Sequence, residues 1–148
     1  MKIITEQQIR SLAITPRQCV EWIHESFAMK HEAQLPAKIS VHPADIRFFG
    51  IKEVHRIEGA VPSLGSDIML YNAKNGELLA LMDGDWITTM RTGAVAAASA
   101  KALRKSNASV YGFVGLGNTA RASLLCILEA EPEKQFKVKL LRYKNQAE

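Results

Sequence analysis

At 148 residues, 47% hydrophobic and 23% charged, the chain has the composition of a globular protein of one or two small domains, with enough apolar material for a core. Its formal charge of +4 comes from scattered basic residues, which argues against a nucleic-acid-binding face and leaves only a mild preference for anionic ligands. No apolar run reaches membrane-spanning length, Met1-Lys2-Ile3-Ile4-Thr5 lacks the layout of a secretory leader, and His24, His31, His42 and His55 are too dispersed to suggest a metal site.

Thr5-Glu6-Gln7-Gln8 and Thr15-Pro16-Arg17-Gln18 both have the form of a capping box, the second with proline at the first helical position. They predict a short helix from Glu6 to Leu12 and a longer one from Pro16 to His31, with Val20, Ile23 and Phe27 on its core face. Ala37 to His42 alternates like a strand, with Lys38 and Ser40 on one side. Pro43 to Gly50 reads as irregular, Ile51 to Ile57 as a strand with Lys52 on one face, and Gly59 to Ser66 as a loop. Asp67 to Tyr71 and Glu77 to Met82 flank Asn72-Ala73-Lys74-Asn75-Gly76, a hairpin signal because Asn-Gly accepts positive φ angles.

Asp83-Gly84-Asp85 turns the chain into a helix from Trp86 to Arg104. Its small-residue middle, Gly93 to Ala100, predicts close packing against another element. Lys105-Ser106-Asn107 is a polar joint, placed here as a boundary between domains 1–104 and 105–148. Beyond it an apolar strand, Ser109 to Val114, runs into Gly115-Leu116-Gly117-Asn118-Thr119-Ala120, and then a helix to Glu129 and a strand from Lys137 to Leu141 follow. Gly115-x-Gly117-x-x-Ala120 is the dinucleotide-binding fingerprint with alanine at its third small position. Gly115 permits the tight turn, Gly117 lets backbone approach a pyrophosphate, and Ala120 lets helix and strand pack closely. A pyrophosphate there would meet the free N–H groups and positive dipole end of the helix. Cys19 and Cys126 fall among apolar neighbours in predicted helices and read as buried free thiols of a reducing, cytoplasmic compartment.

Asp83-Gly84-Asp85-Trp86-Ile87-Thr88-Thr89-Met90-Arg91-Thr92-Gly93-Ala94, followed about twenty residues later by the fingerprint, resembles the ornithine cyclodeaminase/mu-crystallin family. That family includes alanine dehydrogenases and cyclic-imine (ketimine) reductases. Gly50-Ile51-Lys52 and the hairpin Tyr71 to Ala80 match in order and spacing. The resemblance implies an α/β fold: a mixed α+β substrate and dimerisation domain, then the βαβ start of a Rossmann NAD(P)-binding domain.

The resemblance also implies roles. Arg91 matches an arginine that grips the substrate carboxylate, a task suited to a planar guanidinium. Lys52 matches a lysine on the same carboxylate, and Lys38 falls where many members carry a basic residue. Ser63 lies where a hydroxyl residue reaches the nicotinamide cofactor, and Asn118 and Thr119 fall on the cofactor-binding turn. After the second strand the acid usual in NAD proteins is absent. Lys144 stands in its place near Arg142, leaving NADP open beside NAD. The implied reaction is NAD-dependent conversion of ornithine to proline with release of ammonia, by oxidation at Cα, attack of the side-chain amine on the imine, and return of the hydride. Alanine dehydrogenation and imine reduction are the alternatives within the family, and the implied assembly is a homodimer.

Two departures from the family pattern stand out. Arg47-Phe48-Phe49 runs almost directly into Gly50-Ile51-Lys52, where members usually carry a further Met-Pro-containing strand. The family's acid/base aspartate has no counterpart among the 148 residues, so the sequence reads as the front of a longer protein. A non-catalytic fragment or interaction module is accordingly the alternative to an enzyme.

Overall fold

Thr5 and Thr15 each begin a helix by the same exchange. The threonine hydroxyl accepts from the backbone N–H three residues on, and the glutamine side chain there accepts from the threonine N–H. In the computed structural model, which describes residues 1–30 and 47–141, these caps open α1 (Glu6–Ser11) and α2 (Pro16–Ala28). Three strands follow, β2 (Phe48–Arg56), β3 (Leu64–Asn72) and β4 (Leu78–Asp83), and then the long helix α3 (Asp85–Leu103). The chain continues through β5 (Val110–Val114), α4 (Asn118–Ala130) and β6 (Lys137–Leu141). Ahead of α1 lies β1 (Lys2–Ile4), a strand that the sequence reading does not anticipate. The fold is α/β.

These elements gather into two compact units. The first comprises Met1–Ala13 and Lys30–Thr88 and is built on a sheet of order β1-β4-β3-β2. β2, β3 and β4 are antiparallel neighbours, whereas β1 lies parallel to β4, Lys2 opposite Ala80 and Ile4 opposite Met82. The Asn72–Gly76 turn joins β3 to β4, and Gly76 takes a φ of 72° there. Phe49 stacks on its cross-strand partner Tyr71, ring centroids 4.8 Å apart, which helps fix the register.

The second unit comprises Ile14–Met29 and Thr89–Glu148. Its β5 and β6 are parallel, Val110 opposite Lys137 and Val114 opposite Leu141, with α4 as the crossover of one βαβ unit. The small residues of α3 do what their size predicts. Ala94 is fully buried and Ala97 nearly so, and a Cβ built on Gly93 would lie 2.6 Å from the backbone carbonyl carbon of Ala122. Only glycine lets α3 approach α4 this closely. At the end of α3, Arg104 donates two hydrogen bonds to the Glu131 carboxylate, at 2.6 and 2.7 Å, and one to the Ala108 carbonyl, tying the helix to the segment before β6.

Several expectations are corrected. Ser66 and Leu64 belong to β3 rather than to a loop, because the β2–β3 ladder runs on to Arg56 opposite Leu64. For the same reason Phe48 and Phe49 are already strand, paired with Asn72 and Tyr71. The longer N-terminal helix ends at Ala28, and Phe27 is 57% exposed although Val20 is buried on the same helix. α2 lies in the second unit, where it packs on α4. The expected strand Ala37–His42 lies outside the described residues.

Candidate active site

Lys52 stands in the middle of β2, the edge of its sheet among the described residues, opposite Ile68 of β3. Side chains alternate along a strand, so Lys52 shares a sheet face with Val54 and Arg56, and across the ladder with Ser66 and Ile68. The ammonium of Lys52 donates to the Thr88 hydroxyl at 3.5 Å. Thr88 lies in the first turns of α3 and is 8% exposed, and its hydroxyl is 2.8 Å from that of Ser66, itself 5% exposed. The Asp85 carboxylate accepts from the Ser66 N–H at 2.6 Å, and Asp85 donates its own N–H to the Asp83 carboxylate at 3.0 Å. An acid in the first turn of a helix also meets the favourable end of its dipole. The result is a polar cluster in the first unit, with the Lys52 ammonium at one end and the Asp85 and Asp83 carboxylates at the other.

The other face of β2 carries His55, which pairs with Glu53 at 3.0 Å, both exposed. The hydrogen bond to Glu53 raises the His55 pKa above its ordinary value. His55 is an exposed surface residue. Ser63 is half-buried in the bend before β3, and its carbonyl accepts from the Ile57 N–H at 2.8 Å. Arg91 is an exposed residue of α3, three positions after Thr88 in sequence. Lys38 and Lys144 lie outside the described residues.

The glycine-rich turn is described within the second unit. Gly115 is buried with a φ of 80°, and its N–H donates to the Leu141 carbonyl at 2.9 Å, extending the β5–β6 ladder into the turn. A side chain other than glycine is strained at that φ. Gly117 is the N-cap of α4 and brings no side-chain cap, so the first-turn amides keep their capacity for an outside acceptor. Asn118 and Thr119 are exposed at this opening, and Ala120 is half-buried beneath it. Arg121 braces the turn, its Nε donating to the Leu116 carbonyl at 3.1 Å. An uncapped helix start behind a glycine turn fits the pyrophosphate of a dinucleotide.

Elsewhere in the second unit a cavity of about 380 Å³ is lined by residues of α2, α3 and the end of α4, among them Arg17, Val20, Ala97 and Lys101. None of the residues assigned from sequence lines it. Among the described residues no group of three His, Cys, Asp or Glu side chains is placed to hold a metal ion, and no helix is long and apolar enough to cross a membrane.

Sequence reasoning passed over Ser66, Thr88 and Asp85 as site residues. Thr88 and Asp85 sit three apart on one helix, a spacing that places them on one face and was available as a signal. Ser66 carried no signal, since its partners are about twenty residues away in sequence.

Residues 8–148 match the family model described as the ornithine cyclodeaminase/mu-crystallin family. The alanine dehydrogenase of Archaeoglobus fulgidus is 30% identical over 134 residues, covering 80% of this chain and 41% of that protein. The ketimine reductase mu-crystallin of Mus musculus is 43% identical over 58 residues, covering 39% of this chain and 18% of that one. A solved archaeal alanine dehydrogenase dimer with bound NAD superposes with a TM-score of 0.74 at 22% identity, over 94% of this chain and 55% of that chain. The chain thus spans about half the length of these relatives or less. With the model matching nearly the whole sequence, the chain belongs to the ornithine cyclodeaminase/mu-crystallin family.

Proposed function

We propose that this chain is the amino-acid-binding and first nucleotide-binding part of an enzyme that moves hydride between a nicotinamide cofactor and the Cα of an α-amino acid or its imine. The observation that supports it most is the Lys52 ammonium held at the start of α3, the helix whose Ile-Thr-Thr-Met-Arg-Thr segment carries Arg91. On this reading Lys52 and Arg91 bind the substrate carboxylate, and Lys38 adds a further positive charge. Two cations on one carboxylate fix the direction of the Cα–H bond, and orientation of this kind accounts for a large part of many rate enhancements.

The glycine turn supports the other half of the reading. Gly115, Gly117 and Ala120 shape the approach to the pyrophosphate, Asn118 and Thr119 flank it, and Ser63 reaches toward the nicotinamide. NAD, or NADP with Lys144 on its extra phosphate, would supply the hydride chemistry. Ornithine conversion to proline with loss of ammonia is the reading we carry from the family. The match to an alanine dehydrogenase over 80% of the chain favours simple amino-acid dehydrogenation as the second. In both, the same carboxylate grip serves, and a homodimer is the expected assembly.

The test is calorimetric binding of L-ornithine, L-alanine and a cyclic imino acid in the presence of NAD or NADP. Lys52→Gln and Arg91→Gln are each expected to weaken binding of the preferred ligand by about tenfold or more, the loss of a charge-assisted hydrogen bond. Unchanged affinity in both variants would remove the carboxylate assignment. Ammonia released from ornithine, set against reduced cofactor formed from alanine, then separates the two reactions.

A further inference from the structure

The carboxylate grip leaves the hydroxyl pair beneath Lys52 unexplained. Ser66 and Thr88 are both more than nine-tenths buried, and buried hydroxyls persist where a network satisfies them. Here that network has a rigid foundation. Asp85 accepts from both the Ser66 N–H, at 2.6 Å, and the Ser66 hydroxyl, at 3.4 Å. The Gly84 N–H donates to the Ser66 carbonyl at 2.7 Å, and a Cβ on Gly84 would fall 2.7 Å from the Ser66 hydroxyl and 2.9 Å from its carbonyl. Glycine at position 84 is therefore required for Ser66 to sit against the start of α3.

The upper end of the network meets a long, exposed side chain. An ammonium has three donors and no acceptor, so in its contact with Lys52 the Thr88 hydroxyl is the acceptor. A lysine side chain has many rotamers, and favouring one of them takes a partner that does not itself move. Thr88 is such a partner, because its backbone N–H donates to the Gly84 carbonyl at 2.7 Å while its hydroxyl rests on Ser66. We propose that Thr88, backed by Ser66 and Asp85, is a positioning residue that aims the Lys52 ammonium at the anionic group of the ligand. This rests on the reading of Lys52 as a carboxylate-binding residue.

Limiting acetylation of the 148-residue chain with acetic anhydride, read lysine by lysine in a mass spectrometer, reports on Lys52 without any ligand. Thr88→Val keeps the shape and removes the hydroxyl. It is expected to raise the Lys52 acetylation rate roughly threefold relative to Lys101 in the same sample, as an ammonium loses one acceptor. Thr88→Ser restores the wild-type rate, a rescue that a merely space-filling role does not predict, and Ser66→Ala raises the rate by less. An unchanged Lys52 rate in Thr88→Val overturns the proposal. Should that variant fail to fold, an unchanged rate in folded Ser66→Ala overturns it instead. Calorimetry with the amino acid separates the two readings. Loss of binding in Lys52→Gln with no Thr88 effect on acetylation sinks the positioning role alone. Binding that survives Lys52→Gln sinks the carboxylate reading whatever the acetylation shows.

Discussion

In the first unit the converging groups are side chains, brought by β2, β3 and the start of α3 from stretches far apart in sequence. In the second the proposed binding feature is backbone, a glycine turn and an uncapped helix start, and a row of small residues on α3 lets α4 come close. A site of side chains depends on each hydrogen bond being completed, because an unpaired buried donor is costly. A site of backbone depends on what is missing, since any added atom meets main chain that has nowhere to move. The two halves of the chain should therefore break in opposite ways, one by deletion and the other by addition.

Addition in the second unit carries the largest expected effect. Gly93→Val puts a branched side chain 2.6 Å from the Ala122 backbone, and the unit should lose about 3 kcal/mol, read as lost amide protection along α4. Protection that stays at its wild-type level would mean that the helices part without cost and that the second unit tolerates added atoms. Deletion in the first unit comes next. Asp85→Ala strips the Ser66 N–H of its 2.6 Å acceptor and should cost about 2 kcal/mol, seen in the protection of β3. Asp85→Asn, which keeps an acceptor oxygen, should cost less than half of that.

The smallest effect sharpens the comparison by asking how dry the second unit is inside. Cys126 is fully buried, and burial pushes its thiol up to about 11, with the neighbouring Cys19 adding to the shift. Burial also raises Cys19 itself. A folded-state pKa above the unfolded value of 9.0 means the folded chain holds its proton longer. The associated stability is fully present below pH 9 and is lost as pH rises toward about 11. Thermal melts should be level up to pH 9 and then fall by about 1 kcal/mol more in the wild type than in Cys126→Ala. Parallel falls in the two proteins would show that the thiol is not held in an apolar interior.

Local chemistry made most of the fold legible. The two capping boxes, the Asn-Gly hairpin and the glycine fingerprint are each a few residues long, and their geometry follows from those residues alone. The small residues of α3 likewise announced a close helix contact, which Gly93 and Ala94 make. What escaped was non-local. β1 is three residues with no pattern of its own and becomes a strand only because β4 offers an edge. Gly65 and Pro62 have the look of turn residues, so the local sequence suggests a loop at Ser66, while the pairing with β2 decides the matter. Family resemblance pointed to Lys52 and Arg91, but not to the hydroxyls beneath Lys52, which only the folded sheet and helix bring together.

The parallel pairing of β1 with β4 has a consequence for the order of events on the ribosome. Lys2 and its partner Ala80 are 78 residues apart, so β1 waits for β4 before it can pair. At translation rates of roughly 5–20 residues per second that interval is about 4–16 s. Throughout it Ile4 lacks its neighbours in β4, and the hairpin of β3 and β4 forms locally before β1 can dock. Closure of the first unit's sheet is thus a late event in the synthesis of that unit.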